Sequence, residues 1–209
     1  AFEEMAVAYN IFPLTIYQNT INDNDYLKEL LIPGIKESAS ESNVPEHWAT
    51  DNLKTSFGGE PKGKEVLTKE KNSLLIDYYS PAITEFFDKD TDWEIVDDIW
   101  YNYYEKGSYQ ELHDHMPDPF QKIHFSCIHY LSFDKDVHTP AEFQDPISHL
   151  RAHSVTFDRD YVGSYYVPTV EEGDLLMFPS YLPHRILPQK VSNIPRITLS
   201  FNFKITRYD

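Results

Sequence analysis

The sequence holds one cysteine, Cys127, so no disulfide can form within the chain, and a reducing compartment, the cytoplasm, is expected. Its apolar runs stop far short of the ~18 residues a membrane span needs, so no membrane segment is expected. No basic segment followed by an apolar one opens the sequence, so no signal peptide is expected. Positive charge is scarce: 18 Lys and Arg face 34 Asp and Glu, a net charge of −16. A duplex or a polyanionic membrane is repelled by such a chain at long range, so nucleic acid is not an expected partner. Arg185, Lys190, Arg196, Lys204 and Arg207 nevertheless lie close together in sequence. No internal repeat and no dividing linker occur, so residues 1–209 are expected to form one domain.

What is present is aromatic and strand-forming. Hydrophobic residues make up 41% of the chain, and 15 tyrosines and 13 phenylalanines suit strands. Residues 8–17 predict a strand that Pro13 confines to a sheet edge, where it could also pair across a homodimer. Residues 24–40 predict a helix: Asn24 or Asp25 can cap it, and Leu27, Leu30, Leu31 and Ile35 recur at helical spacing. Pro33 and Gly34 predict a kink there, or two shorter pieces. Residues 41–64 are polar, with Trp48 as an anchor. A second helix is predicted over 66–88, burying Leu67, Leu74, Leu75, Tyr78, Tyr79, Ile83 and Phe86 and bending at Pro81.

From Trp93 the pattern changes. Segments 95–104, 109–115, 123–133, 154–157, 164–167, 174–178, 184–187 and 197–205 are short and β-rich, with turn residues such as Lys106-Gly107 and Glu172-Gly173 between them. The expected class is mainly β with N-terminal helices (α+β): a double-stranded β-helix, or cupin-like jelly roll. About 1–92 would be a helical support region and about 93–209 the jelly-roll core. The mouth between the sheets of a small jelly roll is a natural metal cavity.

A sparse set of residues carries the chemistry: Tyr104-x-x-Gly107, His113-x-His115, Pro183-His184 and Arg196-x-Thr198. In a strand, residues i and i+2 share a face, so His113 and His115 project together while Asp114 points away. Three imidazoles with open positions make a reactive site rather than a structural one. Taken singly, each has an ordinary reading as a solvated strand end, a loop histidine or a surface arginine. Arg196 with the hydroxyl of Thr198 can grip a carboxylate, and Tyr104 and Tyr130 can add phenol donors. His47, His124, His129, His138, His149 and His153 lack this spacing and read as structural or surface residues.

In this order the residues resemble the 2-oxoglutarate- and Fe(II)-dependent oxygenase superfamily. The run Tyr104 to His113 is similar to the prolyl-hydroxylase pattern, and Gly173 to Ser180, Pro183-His184 and Arg196-Ile-Thr198 are similar to its distal half. More closely, the chain resembles a prolyl-hydroxylase-like branch also found in phage genomes, through Ile11-Phe12-Pro13-Leu14, Trp100-Tyr101-Asn102 and Ser126 to Tyr130-Leu131. The resemblance implies that His113 and His184 bind Fe(II). It implies that Arg196 binds the distal carboxylate of 2-oxoglutarate, with Thr198, Tyr130 and Tyr104 assisting. Where the superfamily usually has His-x-Asp or His-x-Glu, this chain has His115, which brings no negative charge to the metal. His115 is the expected third ligand and Asp114 the alternative.

The leading expectation is therefore an Fe(II)- and 2-oxoglutarate-dependent dioxygenase hydroxylating a small-molecule or peptide substrate. Two other readings stay open: a cupin-type dioxygenase working without 2-oxoglutarate, and a non-enzymatic jelly-roll module with incidental histidines. Loops 41–64 and 134–160 are expected to shape the entrance.

Overall fold

The computed structural model describes residues 14–46, 48–50, 52–61, 63, 65–87, 91–116, 122–148, 165–190 and 193–207. In chain order the elements are β1 (Tyr17–Thr20), α1 (Asn24–Ala39), β2 (Lys54–Thr55), α2 (Lys69–Thr84), β3 (Asp92–Tyr104), β4 (Gln110–His113) and β5 (Phe125–Ser132), then β6 (Ala141–Gln144), β7 (Tyr165–Tyr166), β8 (Asp174–Pro179), β9 (His184–Ile186) and β10 (Arg196–Arg207). The strands form a six-stranded sheet, β1-β8-β5-β10-β3-β2, and a four-stranded sheet, β4-β9-β6-β7. Every pair is antiparallel. The two sheets and the covering helices are the expected jelly roll with helices on one face.

Strand alternation sorts the large sheet into two layers. The odd-numbered residues of β10, Ile197 to Ile205, join Ile99, Cys127, Leu175 and the helices in one core. Tyr104, Ile128, Tyr130, Leu176 and Phe178 face the opposite way, into a second core shared with Phe143 and Ile186 of the small sheet. The polar residues Arg196, Thr198, Ser200 and Asn202 occupy the even positions of β10, so this strand carries a polar row into the space between the sheets.

α1 runs unbroken through Pro33, where two pieces or a kink were expected. A proline inside a helix costs about 3 kcal/mol. Leu27, Leu31, Ile35 and Ala39, each at most 3% exposed, hold a single face of the helix against the sheet. Fully burying one Leu or Ile stabilises by about 1.5–3 kcal/mol, so the packing of that face outweighs the proline. Neither expected residue caps α1: Asp23 is at the cap position and makes no side-chain cap bond, while the Asn24 side chain reaches His129 and the Leu131 carbonyl instead.

α2 is shorter than the predicted 66–88 because Thr68 caps it, its hydroxyl accepting from the Lys71 N–H. Leu67 and Phe86 lie outside the helix and still pack on the core. The first strand also differs: residues 8–13 lie outside the described residues, 14–16 are not strand, and β1 follows at Tyr17. It does occupy a sheet edge, fixed there by bonds from Gln18 and Thr20 to Asp174. The predicted strand 154–157 also lies outside the described residues. Two strands went unpredicted: β2, too short to show a period, and β6, inside what read as loop 134–160. No described helix is long and apolar enough to cross a membrane.

Candidate functional site

β4 and β9 pair so that His113 stands directly opposite His184. Their ring centroids are 4.3 Å apart. His115 follows β4, its N–H donating to the Ser180 carbonyl at 2.9 Å, and its ring lies 5.3 Å from His113 and 5.1 Å from His184. One ring nitrogen from each of the three lies within 4.8 Å of the others.

In each imidazole Nδ1 is already engaged. His113 Nδ1–H donates to the Glu111 carbonyl at 2.8 Å, and His184 Nδ1–H to the Leu182 carbonyl at 3.1 Å. His115 Nδ1–H donates to Asn202 Oδ1 at 2.6 Å, with Ser126 Oγ 2.9 Å away. That assignment makes Nε2 the ligand atom of each ring, the usual arrangement of ligating histidines, and at His113 the Gln110 amide also reaches Nε2, at 3.4 Å. Burial lowers the pKa of all three, helped at His115 by the charge of His113, and at His184 by His113 and His115; His115 falls to about 4. The rings are therefore neutral at pH 7, the form that coordinates.

The other end of the cleft is cationic. Arg196 is 1% exposed. Its Nε donates to the Thr139 carbonyl at 3.1 Å, but Nη1 and Nη2 have no hydrogen-bond partner. The guanidinium carbon lies 4.2 Å from the Tyr104 ring centroid, 5.6 Å from Tyr130 and 5.9 Å from Phe133. Burial raises the pKa of both tyrosines, against the opposing pull of Arg196, so both remain phenols, that of Tyr104 donating to Gln110 Oε1 at 3.2 Å. A buried, unpaired cation with a fork of free donors calls for a carboxylate. One open cleft joins the two ends, lined by Trp100, Asn102, Tyr104, the three histidines, Arg196 and Thr198 among others.

The structure thus brings together His113, His115, His184, Arg196, Thr198 and Tyr104 around one cleft. Tyr130 stands behind Arg196, its hydroxyl accepting from the Ala141 N–H at 3.0 Å. Asp114 is exposed, and its carboxylate accepts from the Met116 N–H, away from the histidines. His124, His129 and His138 are held by backbone groups, Tyr79 and Asn24 and are not part of the three-histidine cluster, while His47, His149 and His153 lie outside the described residues. The clustered basic residues do not form an open patch: Arg196 is buried, Arg185 pairs with Glu142 and Lys204 with Glu94. Asn202, Ser126, Gln110 and Asn102 were missed. The signal for Asn202 was the two-residue period running on from Arg196 through Thr198 and Ser200.

The expected entrance loop does reach the cleft. Trp48 stacks on Phe57 at 5.3 Å, and Phe57 meets Trp100 edge-on at 5.1 Å.

Residues 98–202 match the family model described as "Putative 2OG-Fe(II) oxygenase". No curated protein matches the chain. Among solved structures, a prolyl-4-hydroxylase from Pseudomonas putida is similar over 94% of each chain, with 16% identity and a TM-score of 0.54. A Trichoplax adhaerens prolyl hydroxylase, in complex with a hypoxia-inducible-factor degradation-domain peptide, matches 90% of this chain and 83% of its own, with 13% identity and a TM-score of 0.58. HygX from Streptomyces hygroscopicus, with nickel, 2-oxoglutarate and hygromycin B bound, matches 93% and 84%, with 10% identity and a TM-score of 0.59. These likenesses establish the jelly-roll fold. The chain belongs to the 2-oxoglutarate- and Fe(II)-dependent oxygenase family, an oxidoreductase whose cofactors are Fe(II) and 2-oxoglutarate.

Proposed function

We propose that this chain is a dioxygenase that hydroxylates a C–H bond of a small-molecule or peptide substrate, with His113, His115 and His184 holding Fe(II) and Arg196 anchoring 2-oxoglutarate. The observation that carries the reading is the pairing of three neutral imidazoles at one end of the cleft with a buried guanidinium at the other whose Nη1 and Nη2 have no partner. A metal alone would explain the histidines. The guanidinium asks for a carboxylate as well, which favours 2-oxoglutarate over a cupin-type reaction without it.

The residues fit both cofactors. Nδ1 of each histidine is engaged elsewhere, leaving Nε2 as the ligand atom, which at His113 the Gln110 amide also approaches at 3.4 Å; Nη1 and Nη2 of Arg196 match the two oxygens of the distal carboxylate. Thr198, beside Arg196 on the same face of β10, adds a hydroxyl, and Tyr104 and Tyr130 wall the carboxylate end with their rings and phenols. Bound Fe(II) supplies the oxidation chemistry, in which decarboxylation of 2-oxoglutarate is coupled to attack on the substrate. The protein's part is to hold the cofactors in line, keep the histidines neutral and keep water from the buried end. The likeness to proteins solved with a peptide and with hygromycin B supports either substrate class. We also read residues 1–209 as one domain, with the helices of the first 92 residues supporting the catalytic sheets, and its one thiol, buried and unpaired, as fitting the cytoplasm.

The test is an anaerobic Fe(II) titration with and without 2-oxoglutarate, following the visible charge-transfer band of the chelate. A band that needs both components and vanishes in His184→Ala is expected. Metal binding without the band would overturn the 2-oxoglutarate assignment, and no metal binding would overturn the site.

A further inference from the structure

The substitution of histidine for the usual carboxylate at position 115 leaves a gap that the neighbouring strands fill. His115 Nδ1–H points at Asn202 Oδ1, 2.6 Å away. Ser126 Oγ lies 2.9 Å from the same nitrogen and donates its own proton to Asn202 Oδ1 at 2.8 Å. Asn202 is 5% exposed and Ser126 fully buried, and the two are direct partners in the β10–β5 register. The arrangement is a closed triangle in which one amide oxygen collects two donated hydrogens. A carboxylate ligand at 115 would have no hydrogen to give it.

The two other histidines rest on main-chain carbonyls two residues before them, Glu111 and Leu182. Only His115 depends on side chains from other strands. The backbone beside Asn202 is also specialised. Val96 pairs with Asn202 but Trp100 with Ser200, so β3 bulges across this interval and carries Asp97 at φ 63°. Bulges beside functional sites re-aim side chains, and here the bulge lies next to the residue that holds His115.

We infer that Asn202, backed by Ser126, is the positioning residue that makes His115 a metal ligand: by holding Nδ1–H it fixes the ring so that Nε2 is the atom offered to the metal. The inference rests on the metal-ligand reading given above. A neutral amide oxygen leaves the ligand set uncharged, whereas a carboxylate at the same place would pull the Nδ1 proton and make the imidazole a stronger donor. Loss of such an outer partner typically weakens metal binding by about 10–100-fold.

The experiment is an anaerobic Co(II) titration of the full chain, read by the cobalt d–d absorption and by calorimetry, so that no turnover is needed. His115→Ala comes first, and it must weaken Co(II) binding; an unchanged affinity would sink the ligand reading itself and this inference with it. Asn202→Leu is expected to weaken binding about 10–100-fold, Ser126→Ala by less, and Asn202→Asp to bind at least as tightly as the native protein, which shows that the pocket still folds around position 202. The deciding measurement places Asn202→Leu in a His115→Asp background. There it is expected to change Co(II) affinity by no more than a few-fold, because an aspartate ligand has no Nδ1–H to position. Equal weakening in both backgrounds, or none in the native one, overturns the inference.

Discussion

Arg196 lies over the Tyr104 ring, its guanidinium carbon 4.2 Å from the ring centroid, and the two residues are direct partners across β10 and β3. The ring covers one face of the cation and leaves Nη1 and Nη2 without acceptors. Without its ligand the site therefore works against the fold: replacing a buried ion by an apolar side chain of similar size often stabilises by about 1–4 kcal/mol. Arg196→Met should melt at a higher temperature than the native protein when both lack cofactors. Fe(II) with 2-oxoglutarate should raise the native melting temperature and leave the variant's at its metal-only value. A normal 2-oxoglutarate-dependent shift in Arg196→Met would remove Arg196 from the binding site.

His129 sets a pH dependence that is separate from the metal. It is fully buried, accepts from the Tyr79 hydroxyl at Nδ1 and donates from Nε2–H to Asn24, and burial lowers its pKa to about 3. An unfolded histidine titrates near 6.5, so below that pH the unfolded chain binds a proton that the folded chain refuses. Stability is then fully present above about pH 6.5 and is lost as pH falls toward 3, by about 1.4 kcal/mol per pH unit for this group. His113, His115 and His184 act in the same direction in the metal-free protein. Urea midpoints measured from pH 7 to pH 4 should fall steadily, and His129→Gln should show a shallower slope. An identical slope in the variant would assign the loss to other groups.

Much of this was legible because the relevant information is local. The two-residue period put Arg196 and Thr198 on one face of β10 and gave His113 and His115 a shared direction, although β4 ends at His113 and His115 follows it. What escaped depends on contacts between distant segments. The continuity of α1 through Pro33 comes from packing of Leu27, Leu31 and Ile35 on a sheet assembled from the other half of the chain. The bonds of His115 to Asn202 and Ser126 tie the segment after β4 to β10 and β5, 87 residues apart in one case. β6 has too few residues to separate its alternation from that of a polar loop. Arg196 was readable as a carboxylate ligand from its place before Thr198, but the lack of a partner at Nη1 and Nη2 was visible only once Tyr104, Tyr130 and Phe133 had closed around it.

The helical layer should matter for stability and not for the chemistry. Leu31 is 0% exposed and lies in the core between the helices and the far face of the large sheet. Leu31→Ala should cost about 2–5 kcal/mol in urea unfolding. The KM for 2-oxoglutarate, measured below the melting temperature, should stay within about twofold, since independent sites far apart combine additively. A KM that rises in step with the stability loss would show that the helices shape the cleft directly.

Asp97 couples backbone strain to the site. At φ 63° it occupies a region that asparagine, aspartate and glycine tolerate and that β-branched residues avoid. It lies in the β3 bulge opposite the interval from Ser200 to Asn202. Asp97→Gly should be neutral or slightly stabilising, whereas Asp97→Val should lose about 1–3 kcal/mol because the bulge cannot keep its conformation. If the bulge is what holds Asn202 under His115, the valine variant should also bind Co(II) more weakly than its loss of stability explains, and the glycine variant should bind it normally. Weak binding in both would trace the effect to the lost carboxylate rather than to the backbone; normal binding in both would show that β10 alone is enough to fix Asn202.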